Sequence, residues 1–291
     1  MRSVPAMWTT IASWIAAATG EAFCVESRTA VGGGSINQTC TLSGQGQRYF
    51  VKLNALGSLA MFEAEAEALG VLERTATIRV PAPICTGTVD RFAFLVLEWL
   101  PLGGRGRWEQ MGEQLAQLHR ITSPHGFGFE RDNTIGSTPQ PNGWTAEWAV
   151  FFGRHRLGHQ LALAQGGAIE ERPARLLIER LPEILGEHTP VPSLLHGDLW
   201  SGNADFTTAG EPVLFDPATY YGDRETDLAM SELFGGFGDA FYQGYRRAWP
   251  LEPGYERRKI LYNLYHVLNH YNLFGGSYAQ QANRMIRTLL D

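Results

Sequence analysis

The chain has 291 residues, a formal net charge of −6 at pH 7, and a composition that is 44% hydrophobic and 19% charged. These values are typical of a folded globular protein with two domains or lobes, and they exclude a disordered chain. No apolar run reaches the roughly 20 residues that span a bilayer, and the acidic balance does not attract nucleic acid, so neither a membrane nor a nucleic acid is expected as a partner. The three cysteines form no metal-binding spacing and favour a reducing, cytoplasmic location.

The first third of the sequence predicts one helix followed by a sheet. Residues 1–20 carry apolar side chains at intervals of three and four, which indicates an amphipathic helix packed on the first lobe rather than an export signal. The following segments predict strands at 22–31, 36–42, 49–53 and 92–97, with a helix at 58–74. Residues 1–98 are therefore predicted to form a small N-lobe, an antiparallel sheet with one main helix inserted after its third strand.

Helical patterns dominate beyond the glycine-containing segment 101–104. Helices are predicted at 108–118, 144–163, 172–187, 239–249, 256–273 and 278–290, and a short β-like patch at 194–215. Residues 99–291 are therefore predicted as a larger, mostly helical C-lobe. The expected fold is α+β and bilobal, and the cleft between two such lobes is a common place for a ligand.

The segment from Leu195 to Asn203 carries the strongest chemical signal. Asp198 precedes Asn203 by five residues on a glycine-containing loop: an aspartate can accept the proton of an attacking hydroxyl, and an asparagine amide oxygen is a suitable ligand for Mg²⁺. Asp216 follows an apolar strand 13 residues after Asn203 and adds a second carboxylate. Either match alone is more often structural, but their occurrence together and in this order favours phosphoryl transfer.

Lys52 is one of only two lysines among 24 basic residues, and it lies within an apolar strand. A lysine in this position can contact the α- and β-phosphates of a nucleotide, and an acidic partner is needed to hold its side chain. The following helix offers three glutamates. Glu65 shares a face with the inward-facing leucines, so we predict a Lys52–Glu65 ion pair, whereas Glu63 and Glu67 are interpreted as solvated helix-face charges.

Two further segments are predicted to contact the nucleotide through their backbone. Consecutive glycines between the first two strands let amide groups approach phosphate oxygens, although a simple β-turn explains the same glycines equally well. The hinge after the last predicted strand is where adenine is expected. The predicted residues of these two segments are Gly32, Gly33, Gly34, Ser35, Asn37, Glu98, Trp99 and Leu100.

The polar residues named above occur in the order lysine, glutamate, aspartate, asparagine, aspartate, and in this order the chain resembles the bilobal protein-kinase-like superfamily. It is similar above all to the fructosamine (ketosamine) kinase family, which is related to the aminoglycoside phosphotransferases. The segments that match this family are 51–54, 62–65, 133–136, 195–203, 216–222, 227–230, 264–270 and 272–276. The nucleotide motifs are shared with aminoglycoside and choline kinases, whereas the last two segments are more discriminating.

The resemblance implies an enzyme that uses ATP and Mg²⁺ to phosphorylate the sugar 3-hydroxyl of ketosamines, free or on proteins, as a deglycation repair activity. It implies that Asp198 is the catalytic base and that Asn203 and Asp216 hold the metal. Asp227 and His196 are expected to support the catalytic loop rather than to touch the substrate.

The acceptor is expected to be a small ketosamine or a glycated lysine on a flexible protein segment, and the enzyme is expected to be a monomer. Ten residues separate Asp216 from Asp227, too few for a long activation segment or a flat protein-binding platform. Trp200 is a candidate to stack on the sugar, with burial under the loop as an equal alternative. The other candidates for the substrate side are Asn142, Trp144, Tyr221, His266 and His270.

Two other functions stay open at the level of sequence. A related kinase for an aminoglycoside, choline or another amino alcohol shares Asp198 and Asn203, but the helical lobe has no dense acidic run to receive a polycation. A non-catalytic nucleotide-binding module is disfavoured because every expected polar position is filled. Competition between a ketosamine and an aminoglycoside would distinguish the first alternative, and Mg-ATP binding without phosphorylation of any acceptor would indicate the second.

Overall fold

The computed structural model describes residues 6–32 and 36–291 of the chain. A five-stranded antiparallel sheet with strand order β1-β2-β3-β5-β4 dominates the part of the chain up to residue 98. Its strands and the two helices packed on it are α1 (Ala6–Thr19), β1 (Ser27–Val31), β2 (Gln38–Gly44), β3 (Gln47–Ala55), α2 (Leu59–Arg74), β4 (Pro83–Val89) and β5 (Phe92–Glu98). The predicted antiparallel sheet with a helix inserted after its third strand is confirmed.

Successive side chains of β5 point to opposite faces of the sheet, and each face packs against a different hydrophobic cluster. Phe94 and Val96 join the hydrophobic cluster under α1, whereas Leu95 and Leu97 join the cluster beneath α2. Lys52 in β3 pairs with Leu95 of β5 in antiparallel register, so the two side chains share a face. This register directs the Lys52 side chain toward α2.

The remainder of the chain is mostly helical, with short two-stranded ribbons between the helices. Its helices are α3 (Trp108–His119), α4 (Trp148–Phe151), α5 (His159–Leu163), α6 (Glu171–Glu179), α7 (Leu181–Leu185), α8 (Glu225–Leu233), α9 (Asp239–Ala248), α10 (Tyr255–Phe274) and α11 (Tyr278–Leu290). Its strands are β6 (Asn133–Ile135), β7 (Thr138–Gln140), β8 (Ser193–Leu194), β9 (Ala204–Phe206), β10 (Pro212–Leu214) and β11 (Tyr221–Gly222). A π-helical turn, Phe152–Gly158, joins α4 to α5, and a 3₁₀ turn, Ser201–Asn203, precedes β9.

Among the elements that differ from the prediction, three have a plain physical reason. The predicted helix 172–187 is two helices, because Pro182 cannot donate a backbone hydrogen bond and instead begins a new helix, α7. β4 has no counterpart in the prediction, since it begins with Pro83 and contains Gly87, which are poor strand formers. α8 is also missing from the prediction, because most of its residues are buried and it therefore lacks an amphipathic pattern.

A hydrophobic cluster crosses the predicted boundary between residues 98 and 99. It joins α2 and β5, through residues such as Leu69 and Leu95, to α3 and α9, through Leu115 and Phe241. The division into 1–98 and 99–291 stays a prediction, since the two parts share this core. None of the helices in the described ranges combines the length and the apolar character needed to cross a membrane.

We expect Gly112→Ala to destabilise the fold. A Cβ at Gly112 in α3 would lie 2.1 Å from the carbonyl oxygen of Phe241 in α9, so one of the two helices would have to move. Overpacking of this kind costs about 1–3 kcal/mol in the free energy of unfolding.

Gly70→Ala in α2 is the matched control for this substitution. The nearest atom to its Cβ would be the flexible Arg74 guanidinium at 3.3 Å, so replacing a helical glycine there should stabilise the protein by about 0.5–1 kcal/mol. Urea unfolding of both variants measures the two effects. Equal stabilities would show that α3 and α9 are not in close contact.

Candidate active site

A cavity of about 700 Å³ lies between the sheet and the loops of the helical part. The sequence-predicted residues that line it are Gly32, Asn37, Lys52, Glu65, Glu98, Trp99, Leu100, Asp198, Trp200, Asn203 and Asp216. The other three residues of the predicted phosphate loop, Gly33, Gly34 and Ser35, lie outside the described residues. The fold therefore brings together residues that are up to 184 positions apart in the sequence, from Gly32 to Asp216.

The Lys52 ammonium lies between two carboxylates in this cavity. Its Nζ is 2.5 Å from Glu65 Oε1 and 2.5 Å from Asp216 Oδ1, and its side chain is 5% exposed. Burial acts to lower the Lys52 pKa, but the two carboxylates outweigh it and raise the pKa, so Lys52 stays a cation. The Lys52–Glu65 ion pair expected from the sequence is present, and Asp216 is a second partner that the sequence pattern did not indicate.

Asp198 faces the same cavity from the loop after β8. Burial, and after it the nearby Asp216 carboxylate, raise the Asp198 pKa to about 7. Because the 3₁₀ turn Ser201–Asn203 folds the chain back, Asn203 Nδ2 donates to the main-chain oxygen of Asp198 at 2.9 Å and to its Oδ2 at 3.1 Å. A carboxyl group with a pKa near neutrality can both release and accept a proton at pH 7, which is the property that a general base requires.

His196 joins the loop that carries Asp198 to the loop that carries Asp216. Burial lowers the His196 pKa, so the ring is neutral. Its Nε2 lies 2.9 Å from the Phe215 carbonyl oxygen, which can only accept, so Nε2 carries the proton and Nδ1 accepts from the Asp198 N–H at 3.3 Å. The Ala218 N–H donates to the His196 oxygen at 2.9 Å. The positions of Asp198 and Asp216 are therefore fixed relative to each other.

Asp227, in the first turn of α8, holds the catalytic loop from beneath. Its carboxylate accepts from the main-chain N–H groups of His196 at 2.7 Å and Gly197 at 2.8 Å, and His119 Nε2 lies 3.0 Å away. Burial acts to raise the Asp227 pKa, but the His119 hydrogen bond and the other donors lower it overall. Gly197 has φ +86°, and a Cβ there would lie 2.0 Å from the Ala218 oxygen, so only glycine fits between the loops.

The side-chain oxygen atoms of Asp216, which follows β10, and of Asn203, which precedes β9, form a donor set that fits a magnesium ion. Asp216 has φ +55°, which is uncommon for a residue other than glycine, and its half-exposed carboxylate lines the cavity. The side-chain nitrogen of Asn203 is used by Asp198, which leaves the amide oxygen as the group that Asn203 can offer. Carboxylate and amide oxygens are the hard ligands that Mg²⁺ prefers.

The hinge after β5 offers fewer groups than predicted. The Glu98 N–H donates to the Ala82 oxygen at 2.8 Å, and the Glu98 carboxylate pairs with Arg79 and accepts from the Ala82 N–H at 3.2 Å. The amide of Glu98 is therefore not available to adenine, but Glu98 lines the cavity, and its contact with the nucleotide stays a prediction. Trp99 and Leu100 line the cavity and remain the predicted contacts of the base.

Five of the six predicted substrate residues are not among the residues that line the cavity, and burial corrects the prediction for two of them, Asn142 and His266. The five residues are Asn142, Trp144, Tyr221, His266 and His270. Asn142 is 0% exposed and bonds to Arg156, and burial lowers the pKa of the 4% exposed His266 to about 3. Asn142 and His266 therefore belong to the protein interior, whereas a substrate contact by Trp144, Tyr221 or His270 stays a prediction. Trp200 does line the cavity, as do Asn133 and Thr134, for which the only sequence signal was the family-like segment 133–136.

A strand lysine that faces a His-Gly-Asp loop across a cleft is typical of the protein-kinase-like phosphotransferases, and the sheet-and-helix architecture around this cleft is the fold of that class. The family model for fructosamine kinase matches residues 7–291. A protein of Synechocystis sp. named as a probable ketoamine kinase is 54% identical over 290 residues, which cover 98% of each chain. The chain belongs to the fructosamine kinase family and is a phosphotransferase.

Two further relatives extend this comparison. The chloroplastic protein-ribulosamine 3-kinase of Arabidopsis thaliana is 42% identical over 92% of this chain and 83% of its own length. A crystal structure from Haemophilus somnus 129PT, named provisionally as a fructosamine-3-kinase, has a TM-score of 0.90 at 33% identity and covers 98% of both chains. The similarity thus includes both the sheet and the helical part.

A buried ionic network fixes the start of α8, the helix that carries Asp227. His188 Nε2 lies 2.7 Å from Asp223 Oδ2, and His188 Nδ1 lies 2.7 Å from Glu252 Oε2. Burial acts to lower the His188 pKa, but these two carboxylates raise it overall. The Asp223 pKa is lowered: burial acts to raise it, but the bonds from His188 and Tyr262 outweigh burial. His188 is thus an ion-pair partner whose charge depends on the fold.

We expect the stabilising effect of His188 to be larger at pH 6 than at pH 9. A group with a raised pKa in the folded state gives its full stabilisation below its unfolded pKa of about 6.5 and loses it as the pH rises through the folded value. Asp223 is ionised throughout this range and adds no slope.

His188→Gln keeps a hydrogen-bonding side chain without the charge. The difference in the free energy of unfolding between wild type and this variant, measured by urea unfolding, should shrink between pH 6 and pH 9 by about 1.4 kcal/mol for each unit by which the His188 pKa is raised. A difference that does not change with pH would refute the charged network.

Proposed function

We propose that this chain is an ATP- and Mg²⁺-dependent kinase that transfers a phosphoryl group to the sugar 3-hydroxyl of ketosamines, free or on glycated lysines of proteins. The observation that carries the proposal is the placement of Asp198, with its pKa raised to about 7, in the same cavity as Lys52 and Asp216. Membership of the fructosamine kinase family supports the acceptor class. We propose further that the enzyme works as a monomer in the cytoplasm and repairs glycation damage.

Asp198 is the base in this proposal. The ionised carboxylate accepts the proton of the sugar hydroxyl while the hydroxyl oxygen forms a bond to the γ-phosphorus and the bond to the departing ADP breaks. The Asp198 Oδ2 atom accepts a hydrogen bond from Asn203, which leaves Oδ1 to meet the hydroxyl. Burial, and after it the nearby Asp216 charge, keep the pKa of Asp198 high enough for the proton transfer to be favourable.

Lys52 supplies positive charge at the phosphates of the nucleotide. Glu65, on the buried side of α2, holds the ammonium in place when Asp216 takes other partners. Asn203 and Asp216 would hold Mg²⁺, which supplies further positive charge to stabilise the transferring phosphoryl group. The role of this part of the site is therefore to position the phosphates and to compensate their charge.

Asp198→Asn should lower kcat by about 10²–10⁴-fold, because an amide of the same shape cannot accept the proton. The measurement is Mg-ATP consumption with a synthetic fructosamine or ribulosamine. Asp239→Asn, at the exposed start of α9, is the matched control and should keep wild-type turnover.

The acceptor panel should also contain an aminoglycoside and choline. ATP binding without turnover of either ketosamine would show that the acceptor class is wrong, and turnover of an aminoglycoside in its place would assign the chain to the related small-molecule kinases. Equal turnover by wild type and Asp198→Asn would remove Asp198 from the mechanism.

Trp200→Leu should weaken binding of the acceptor while leaving that of ATP unchanged. The Trp200 indole is 38% exposed in the cavity wall, two residues after Asp198, so its ring can lie against the sugar. Loss of one aromatic contact of this kind should raise the KM for the ketosamine about three- to tenfold.

Trp14→Leu is the matched control for Trp200. Trp14 is 45% exposed in α1 and is not among the residues that line the cavity. Its replacement should leave both KM values as they are in the wild type. An unchanged KM for the ketosamine in Trp200→Leu would mean that the indole only packs on its own loop.

A further inference from the structure

Arg156 is a buried cation with no acidic partner among the described residues. It is 0% exposed and lies in the π-helical turn Phe152–Gly158. Its guanidinium donates to the oxygens of Pro141 at 2.7 Å and Asn142 Oδ1 at 2.7 Å, and lies 3.9 Å from the centre of the Tyr220 ring. An apolar side chain of similar volume is often as stabilising as a buried charge, so stability alone does not account for an arginine here.

Asn142 links Arg156 to the region behind the cavity. With its oxygen held by Arg156, Asn142 Nδ2 donates to Asn133 Oδ1 at 2.9 Å and to the Arg131 main-chain oxygen at 3.1 Å. Asn133 Nδ2 donates in turn to the Thr219 oxygen at 2.8 Å. In this relay, from Arg156 through Asn142 to Asn133, each side-chain amide uses both its oxygen and its nitrogen in hydrogen bonds. The relay therefore has a single orientation.

Gln140 also donates hydrogen bonds to Asn133 and to the segment after Asp216. Its Nε2 donates to the Ala218 oxygen at 3.0 Å and to Asn133 Oδ1 at 2.8 Å. The carbonyl groups of Ala218 and Thr219, two and three residues after Asp216, therefore both accept hydrogen bonds from side-chain amides of β6 and β7. Small rotations of these peptide groups would turn the Asp216 carboxylate.

The relay also reaches α2, the helix that carries the other acid in contact with Lys52. Arg131 lies within 3.5 Å of Glu63 and 3.3 Å of Glu67, which flank Glu65 on α2. Both glutamates are exposed on the helix face, as predicted, with side chains 44% and 38% exposed, and Arg131 is their partner there. Residues 131–133 thus contact both elements that supply a carboxylate to Lys52.

We propose that Arg156 is a positioning residue for Asp216: through Asn142 and Asn133 it fixes the main chain after Asp216 and so sets the direction of the carboxylate. Asp216 has φ +55°, a conformation that a residue other than glycine keeps only where its surroundings hold it. The inference rests on the proposed function in that Asp216 faces the nucleotide and its metal.

Two variants interrupt the relay at different points. Arg156→Lys keeps the charge but loses the planar group that reaches Asn142 and Pro141 together. Asn142→Asp keeps an acceptor for Arg156, and so preserves the buried contact, but loses the donor to Asn133. We expect both variants to raise the Mg²⁺ concentration for half-maximal binding of a non-hydrolysable ATP analogue about tenfold or more.

Calorimetric titration measures this binding without an acceptor. With an acceptor present, kcat should fall about 10–100-fold while the KM for the ketosamine stays within twofold of wild type. Phe151→Leu is the control, because Phe151 packs 4.7 Å from the Arg156 guanidinium but takes no part in the relay. Phe151→Leu should lower the melting temperature but leave the Mg²⁺ concentration for half-maximal binding of the ATP analogue, the Mg²⁺ response, as in the wild type.

The outcomes separate this inference from the proposed function. If both relay variants lower only the melting temperature, with Mg²⁺ response and kcat within twofold of wild type, Arg156 is structural and the inference is wrong. If the wild type phosphorylates no ketosamine but the relay variants still shift the Mg²⁺ response, the proposed acceptor is wrong and the positioning role holds.

Discussion

The burial of the Lys52 ammonium is the constraint on which the geometry of the cleft depends. An ammonium removed from water is costly unless it is closely paired, and here the two pairing carboxylates come from different elements, Glu65 from α2 and Asp216 from the loop after β10. The sheet, the helix and the catalytic part must therefore meet at one point for the fold to be stable. A cleft held in this way has its charged groups in place before a ligand arrives.

The side of the cleft opposite Lys52 depends on main-chain contacts. Asp227 binds two successive amides of the catalytic loop, and Gly197 lets this loop touch the main chain of Ala218. His196 adds a bond to the strand end before Asp216. The charged side chains of the cavity are thus held in position by residues that lie behind them. Preorganisation of this kind is what electrostatic stabilisation of phosphoryl transfer requires.

Residues with specific chemistry could be predicted from the sequence, and so could elements with long regular patterns. The helix predicted at 58–74 is Leu59–Arg74, and the one predicted at 256–273 is Tyr255–Phe274. Tertiary contacts decide the rest: β4 forms despite Pro83 because it pairs along β5. Asn142 is a candidate substrate residue in the sequence, but its partner Arg156 is 14 residues away and meets it only in the fold.

The short segment between Asp216 and Asp227 is bonded along its main chain to the catalytic loop and the strand before it. Its Ala218 N–H is bonded to the catalytic loop, the Tyr220 oxygen accepts from Leu195 at 3.0 Å, and Tyr221 belongs to β11. A regulatory loop needs peptide groups that can change partners, and these groups are already used to hold Asp198 beside Asp216. Folding alone therefore assembles the charged groups of the cleft, and in the proposed function selectivity among acceptors comes from the open side of the cavity, where Trp200 is exposed.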